Sequence, residues 1–363
     1  MMATLKKLAI GSAMLLMAYN AGHSQVVTTP RPLSPSAAAI QTIGISKVTI
    51  NYSRPGVKGR KIWGDVVPYG WNVQLFGNGN AAPWRAGANE NTTITLSHDA
   101  KVEGIPVPAG TYGLFYVVNA DNTGEAVLSK NANSWGSFFY DPAEDLLRVK
   151  IDVRDNTFTE QLTYDFINLT KTSAELVLNW EKKQFPLRIE FAVDEIVMKH
   201  LKDELHGAAG FVADGFITAA LYAFENNIDL DQAMKWIDEA LKYDPTNFVA
   251  IRVKTRMLFR DGKAEEANKI INDALEVASE NDISNYGYGL LGLGLTDKAI
   301  KVLTVNTARF PKSANAWDTL GEAYFRKGDK TNAVKSFRKA LSLDPPANVK
   351  NNSEKFLKEL GAM

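Results

Sequence analysis

The stretch WDTLGEAYFRKGDKTNAVKSFRKALSLDP, residues 317–345, decides how the back half of this chain is read. Its apolar and small residues fall at helical spacing: Trp317, Leu320, Gly321 and Tyr324, then Ala333, Phe337 and Ala340, before Pro345. Ala333 has counterparts upstream. Ala233, Ala267, Ala299 and Ala333 stand 34, 32 and 34 residues apart. Each is followed four residues later by a large apolar residue, Ile237, Ile271, Leu303 or Phe337, and three beyond that by Ala240, Ala274, Asn306 or Ala340. Prolines follow at Pro245, Pro311 and Pro345, where a residue that cannot continue a helix starts the next unit. A period of this length predicts stacked helical hairpins: four units over 211–347, with 348–363 as a polar-faced capping helix. Residues 194–210, where the period first becomes 3.6, are expected as a linker helix.

The last unit matches the tetratricopeptide repeat position for position, and the back half resembles that family. The resemblance implies peptide binding on the face formed by the first helix of each unit. Projecting the register places Arg252, Arg256, Tyr288, Asp318, Glu322 and Phe325 on that face. In the carboxylate-clamp version of the repeat a lysine and an asparagine stand where this chain has Asp318 and Glu322, so capture of an acidic chain terminus is not implied. The mixed surface suits an extended segment with both charge signs and an aromatic; a rigid spacer or a dimerisation surface would use the same residues.

Upstream the period is two. Val149, Ile151 and Val153 alternate with polar residues, as do Leu187, Ile189, Phe191 and Val193. Similar runs at 48–52, 92–97, 111–118, 125–128, 162–167 and 175–180, separated by turn signals such as Pro108-Ala109-Gly110, predict about eight short strands in an antiparallel sandwich or open barrel over 36–193. Asp141-Pro142-Ala143-Glu144 carries an N-cap acid with proline at the first helical position and predicts one short helix. Residues 25–35, with Pro30, Pro32 and Pro35, predict an extended leader. The fold class expected is therefore multidomain, all-β plus all-α: an antiparallel β-sandwich followed by an α-solenoid of four tetratricopeptide-like hairpins.

Several motifs in the strand-rich half lie in the order of a second family. They are Ser34-Pro35, Tyr52-Ser53-Arg54-Pro55 with Gly59-Arg60, the run Trp84-Arg85-Ala86-Gly87-Ala88-Asn89-Glu90-Asn91-Thr92, Pro108-Ala109-Gly110-Thr111-Tyr112, and the late Trp180. Residues 30–193 thereby resemble domain of unknown function 2911, a family common in exported proteins of the Bacteroidetes. The family carries no agreed activity, so the resemblance implies a fold envelope and a location but no reaction. Residues 70–82, including Gly77-Asn78-Gly79-Asn80, are longer than the family's usual spacing and are expected as an exposed loop.

Composition bounds the rest. With 363 residues, 45% of them apolar, the chain can bury two cores without staples. Lys plus Arg and Asp plus Glu both number 41, which argues against nucleic acid as a partner, since phosphate contacts call for a basic excess. The absence of cysteine removes disulfides, thiol nucleophiles and cysteine-held metals. Lys6 and Lys7, the apolar run from Leu8 to Tyr19 and Gly22-His23-Ser24 read as a secretory signal peptide over 1–24, too short to span a bilayer, which predicts a periplasmic or secreted protein with no stable membrane anchor.

Chemistry is sparse. Gly287-Tyr288-Gly289-Leu290-Leu291-Gly292 satisfies the dinucleotide pattern but lies in helical register with no strand before it, so close packing and a tight turn explain its glycines, and no cofactor is expected. Ser97-His98-Asp99 names a hydrolytic triad, yet strand neighbours point to opposite faces. His200 and His206 fall on different helix faces, with His200 able to reach Asp203 or Glu204, which makes no dependable metal site. The group with most chemistry is Arg54, Arg60, Trp84, Arg85, Asn89 and Glu90. A planar Arg fork beside an indole and a carboxylate suits a carboxylate, phosphate or sugar ligand, or else locks a long loop onto the sandwich. The leading expectation is an exported, non-enzymatic scaffold or binding protein that contacts other proteins through its repeats. The alternative is a hydrolase or a carbohydrate- or anion-binding activity in the sandwich, with Glu90 as acid or base, Arg54 or Arg85 holding the anion and Trp84 stacking a sugar.

Overall fold

The computed structural model describes residues 30–363 and divides them after Val193 into two compact units. The signal peptide expected at 1–24 and residues 25–29 of the leader lie outside the described residues.

The first unit is built from β1 (Ser36–Ile43), β2 (Ser46–Ser53), β3 (Asn72–Val73), β4 (Ala81–Ala82), β5 (Thr93–Leu96), β6 (Ala100–Val102), β7 (Ile105–Val107), β8 (Gly110–Val118), β9 (Thr123–Ser129), β10 (Asp145–Asp152), β11 (Arg154–Ile167) and β12 (Ser173–Phe191). Antiparallel pairing orders them β1-β2-β5-β8-β9-β10 in one sheet and β11-β12-β6-β7 in a second, with β3-β4 as a separate ribbon. Turn chemistry sets the hairpins. Ile43 pairs with Ser46 across Gly44-Ile45, and Gly44 has φ +60° where a β-carbon would stand 2.5 Å from Val193. Val102 pairs with Ile105 across Glu103-Gly104, both at positive φ, the geometry that matches strand twist.

Alternation then fills the core. Val48, Ile50 and Tyr52 of β2 and Ile94 and Leu96 of β5 are buried, as are Leu162 and Tyr164 of β11 and Leu187, Ile189 and Phe191 of β12. The Tyr52 and Tyr164 rings meet edge to face with centroids 4.8 Å apart, linking the two sheets. Each such aliphatic or aromatic side chain contributes roughly 1.5–3 kcal/mol by leaving water. The run Leu114 to Val118 is buried on both faces, because Phe115 and Val127 on the outer side are covered by Trp71, Ala82 and Tyr140. Residues 70–82 are mostly exposed, as expected, at Val73 and over 75–81, but not simply a loop: β3 and β4 pair, and Trp71 and Ala82 cover the sheet.

Other expectations shift in detail. The run at 175–180 and the Leu187–Phe191 part of the later run belong to one 19-residue strand, while Val193, expected to continue it, opens the first helix. The predicted helix is a single 3-10 turn, Pro142–Glu144, with the Asp141 carboxylate accepting from the Ala143 amide. Residues 30–35 do not run straight: the Ser34 amide donates to the Arg31 carbonyl at 3.2 Å, closing a turn.

The second unit holds α1 (Val193–Glu204), a 3-10 turn at Ala208–Phe211, α2 (Ala213–Glu225), α3 (Leu230–Tyr243), α4 (Phe248–Arg260), α5 (Ala264–Val277), α6 (Glu280–Gly292), α7 (Thr296–Arg309), α8 (Ala314–Lys327), α9 (Lys330–Leu341) and α10 (Ala347–Glu359). Side chains of Asp229, Asn247, Ser279, Ser313 and Asp329 accept backbone amides at the starts of α3, α4, α6, α8 and α9, each cap contributing about 1 kcal/mol. The periodic alanines Ala233, Ala267, Ala299 and Ala333 are all fully buried, as small residues at helix crossings should be. Gly287 and Gly321 do the same work from the first helices. A β-carbon there would stand 2.5 Å from Leu303 or 2.7 Å from Phe337. The 32-residue spacing has a local cause: α5 and α6 are joined by Ala278 and Ser279 alone, while 244–247 and 310–313 join the neighbouring units. That shorter joint leaves no place for the proline present in the other two. Residues 194–210, expected as a linker, pack into the array, with Met198, Leu201 and Leu205 against the Ile217 cluster and the Tyr222 hydroxyl donating to Asp194 at 2.9 Å.

Candidate functional site

Trp84 follows β4 and is pinned to β8 by two backbone bonds, Trp84 amide to Tyr116 carbonyl at 2.8 Å and Tyr116 amide to Trp84 carbonyl at 2.9 Å. Its ring stacks on Trp180, centroids 5.8 Å apart and planes 17° apart, with Trp63 and Phe185 meeting it edge-on. The chain then turns through Ala86 and Asn89, both non-glycine residues at positive φ, a conformation that costs about 1–2 kcal/mol per residue. What over-determines this turn is bonding at its inner edge: the Ala86 carbonyl accepts from the hydroxyls of Thr92 and Tyr164. Arg85 points back along the loop, its Nη1 donating to the Asn89 carbonyl at 2.8 Å and its guanidinium lying 4.9 Å from the centre of the Phe138 ring. Gly136, at φ +62°, makes the room, since a β-carbon there would stand 2.2 Å from the guanidinium carbon.

These residues wall an open cleft of about 640 Å³, lined also by Lys58, Arg60, Asn72, Gln74, Asn89 and Trp180. Trp84, Arg85, Asn89 and Arg60 do share one concavity. Arg54 does not line it. Its Nε donates to the Leu162 carbonyl at 2.9 Å and its Nη2 to Thr163 Oγ1 at 2.6 Å, bolting the end of β2 to β11. Arg60 sits at the rim with Nε on the Val57 carbonyl and Nη2 on the Gly56 carbonyl. Glu90 also lies outside the cleft: it is exposed and ion-paired with Arg31 of the leader. Slight burial works to raise the Glu90 carboxyl, but the hydrogen bond and charge of Arg31 outweigh it and hold the carboxyl below its ordinary range. The expected role of Glu90 as acid or base at a shared site, with Arg54 beside it, is thereby corrected: the motif's side chains leave the loop in different directions.

Ser97 and His98 are hydrogen-bonded after all, Oγ to Nδ1 at 3.0 Å, because they lie in a bend between β5 and β6 where strand alternation does not hold. Asp99 is not part of a relay. Its carboxylate accepts from the Ala109 amide at 2.7 Å and so holds the turn before β8. His200 meets Glu204 on an exposed helix face, Nε2 to Oε1 3.1 Å. Among the described residues no cluster of three or more histidine, aspartate or glutamate side chains could hold a metal ion, and no helix is long and apolar enough to cross a membrane.

On the repeats the predicted face divides. Arg256 is exposed, Tyr288 is 36% exposed with the rest of its side chain covered, and Arg252 is half-buried; the Arg256 guanidinium lies 5.0 Å from the Phe224 ring. Asp318, Glu322 and Phe325 are not open groove residues. Asp318 is 3% exposed and accepts from Asn352 Nδ2 at 2.8 Å and from the Ser353 hydroxyl, both on α10. Burial pushes its carboxyl above the ordinary range, against the pull of those two bonds. Glu322 is buried and paired with Arg326 through Nε at 3.0 Å and Nη2 at 2.5 Å. Phe325 packs on Phe356, ring centroids 4.7 Å apart. The capping helix covers this end because it occupies the place a further first helix would take. Tyr288 stands beside the two acids, and burial, with the charge of Glu322, pushes its hydroxyl up to about 12.

The sandwich motifs and the Trp84–Arg85 turn run in the order of one family. Residues 34–189 match DUF2911. That family is described as proteins of unknown function, and residues 314–347 separately match the tetratricopeptide repeat. The chain is 32% identical over 95 residues to cellulose synthase operon protein C of Escherichia coli K12, a match covering 26% of this chain and 8% of that protein. It is 27% identical over 143 residues to superkiller protein 3 of Schizosaccharomyces pombe, covering 37% and 10%. The chain thus spans a tenth or less of the length of these relatives. Among solved structures, that of pilF from Pseudomonas aeruginosa covers 42% of this chain and 71% of its own at 18% identity, with a TM-score of 0.28.

Within the DUF2911 segment, the cleft draws in residues that the sequence did not mark as its lining, among them Trp180, Lys58, Asn72 and Gln74. Trp180 was visible as a motif residue, but 96 positions separate it from Trp84, and only the pairing of β12 and β8 with their sheets brings the rings together. Lys58 lies between the two named arginines, at an exposed position on the rim of the cleft. Asn72 and Gln74 fall in the stretch read as an exposed loop and carry no pattern of their own.

Proposed function

We propose that this chain is an exported scaffold whose helical repeats dock a segment of another protein along α4 and α6. Tetratricopeptide arrays are protein-contact modules, and that coarse reading extends to the repeats here. The observation that carries the finer reading is the division of the first-helix face. Asp318, Glu322 and Phe325 are consumed inside the stack, while Arg252, Arg256 and Tyr288 are left to solvent in part or in full. The surface on offer is therefore weighted toward basic and aromatic side chains, with Glu225 beside Arg256, and it favours an extended segment bearing carboxylates and an apolar side chain. Glu225, 4.0 Å from Arg256 with both side chains more than half exposed, neutralises little, since exposed pairs of this kind contribute at most about 1 kcal/mol. Export rests on the basic, apolar and small-residue pattern of residues 1–24. The hydrolase alternative is not carried forward, because its acid, Glu90, is paired outside the cleft.

Charge reversal tests the docking reading. Purified full chain and its Arg252→Glu/Arg256→Glu double variant, immobilised at equal density, are offered envelope extract; retained proteins should fall at least about tenfold with the variant. Equal retention of the same proteins by both would remove α4 from the docking surface.

A further inference from the structure

The Trp84–Arg85 cleft carries a polar imbalance that the fold does not use. Lys58, Arg60 and Arg85 line it, no carboxylate does, and none of the three has an ion pair among the described residues. At the exposed rim, where Lys58 and Arg60 lie, an unpaired cation costs little; deeper in the cleft it does not. Arg85 is half-buried with one carbonyl and a ring face for company, and burial draws its guanidinium below the usual value. Behind it Trp180 lines the same cleft while 1% exposed, and its indole N–H meets no acceptor. A buried donor left unmet costs about 1–3 kcal/mol. The Trp180 N–H is closed off from the cleft, so it is the Arg85 deficit that an acceptor-rich anion meets.

The remaining walls narrow the class. Half-buried Trp84 gives a flat apolar surface beside the cation. At the mouth the amide nitrogens of Asn72 and Asn89 are spent on backbone carbonyls, Asn72 on Gly70 at 2.9 Å and Asn89 on Ser34 at 3.3 Å. Their side-chain oxygens are thereby turned into acceptors for hydroxyl groups. A volume of about 640 Å³ lies within the usual range for small-ligand clefts. We propose that this cleft binds a pyranose-sized sugar bearing one anionic group, carboxylate or phosphate, with the anion on Arg85 and the ring against Trp84. The site is independent of the repeat surface, so either reading can fail without the other.

The test is a thermal-shift and calorimetric comparison of four probes on the full chain: glucuronate, glucose 6-phosphate, glucose and inorganic phosphate, each to about 10 mM, where even millimolar affinity saturates. At least one of the two anionic sugars should raise the melting temperature and bind, which of them does so distinguishing carboxylate from phosphate, while glucose and inorganic phosphate should bind at least about tenfold more weakly. Arg85→Gln should weaken the bound sugar at least about tenfold. Should that variant fold poorly, Lys58→Gln, at an exposed position, should weaken the same sugar by about threefold and leave the unliganded melting temperature unchanged. No binding by either anionic sugar, binding of inorganic phosphate or glucose equal to theirs, or undiminished affinity in a folded Arg85→Gln or Lys58→Gln protein would each overturn the proposal.

Discussion

A β-carbon added at Gly287 would stand 2.5 Å from Leu303, whereas one added at Gly289, two residues on in the same helix, meets nothing within 4 Å. Helix propensity alone favours alanine at either position by about 1 kcal/mol. Gly287→Ala should therefore destabilise the protein by a net 1–2 kcal/mol, roughly, because overpacking exceeds the propensity gain, and Gly289→Ala should stabilise it by about 0.5–1 kcal/mol. Urea unfolding of the two variants checks both signs, and equal effects would mean that the glycines are not graded by packing. Asp318 offers a second check. Its folded pKa lies above its unfolded value, so the unfolded chain releases this proton first. Its contribution is complete below the ordinary carboxylate pKa and is lost as the pH rises through the folded value. The stability gap between the protein and Asp318→Asn should accordingly narrow as the pH rises above about 4, the ordinary carboxylate value, as measured by denaturant midpoints. At this scale the sequence named the right residue types but not their directions. Arg54, Arg85 and Glu90 are close in the chain, yet one spans to β11, one folds over Phe138 and one reaches the leader, choices set by partners 53 to 108 residues away or by loop geometry.

Among elements, legibility followed length and phase. The four hairpins were readable because the same small-large pairing recurs, and Gly321 against Phe337 repeats Gly287 against Leu303. β12 was read as two strands because Glu181, at φ +54°, breaks the alternation between its halves. β6 and β7 were missed because three residues hold no period, and Pro106 speaks against a strand except at an edge, where β7 lies. The closing helix α10 showed only its polar face in the sequence. Its other face stacks Phe356 on Phe337, centroids 5.3 Å apart, and buries Leu357 to 2% exposure. Leu357→Ala should cost about 2–5 kcal/mol, a loss that thermal melting followed by helical circular dichroism would report. A change below about 0.5 kcal/mol would mean that the cap is ornamental to the stack.

For the molecule as a whole, two compact units carry two kinds of surface. Composition and period were enough to separate a half with period two from a half with period 3.6. They could not disclose the cleft, since its walls come from β4, the loop after it, the 54–60 turn and β12. Nor could they reveal that α10 withdraws Asp318 and Phe325 from the first-helix face. The account stands on that face being where another protein sits. Its most direct test is site-specific photocrosslinking in living cells, with the reactive side chain placed in turn at Arg252, Arg256 and Tyr288, and at the exposed Lys269 and Glu276 of α5 as controls. The account predicts a common adduct from the first three positions and none from α5; adducts from α5 alone, or from all five alike, would contradict it.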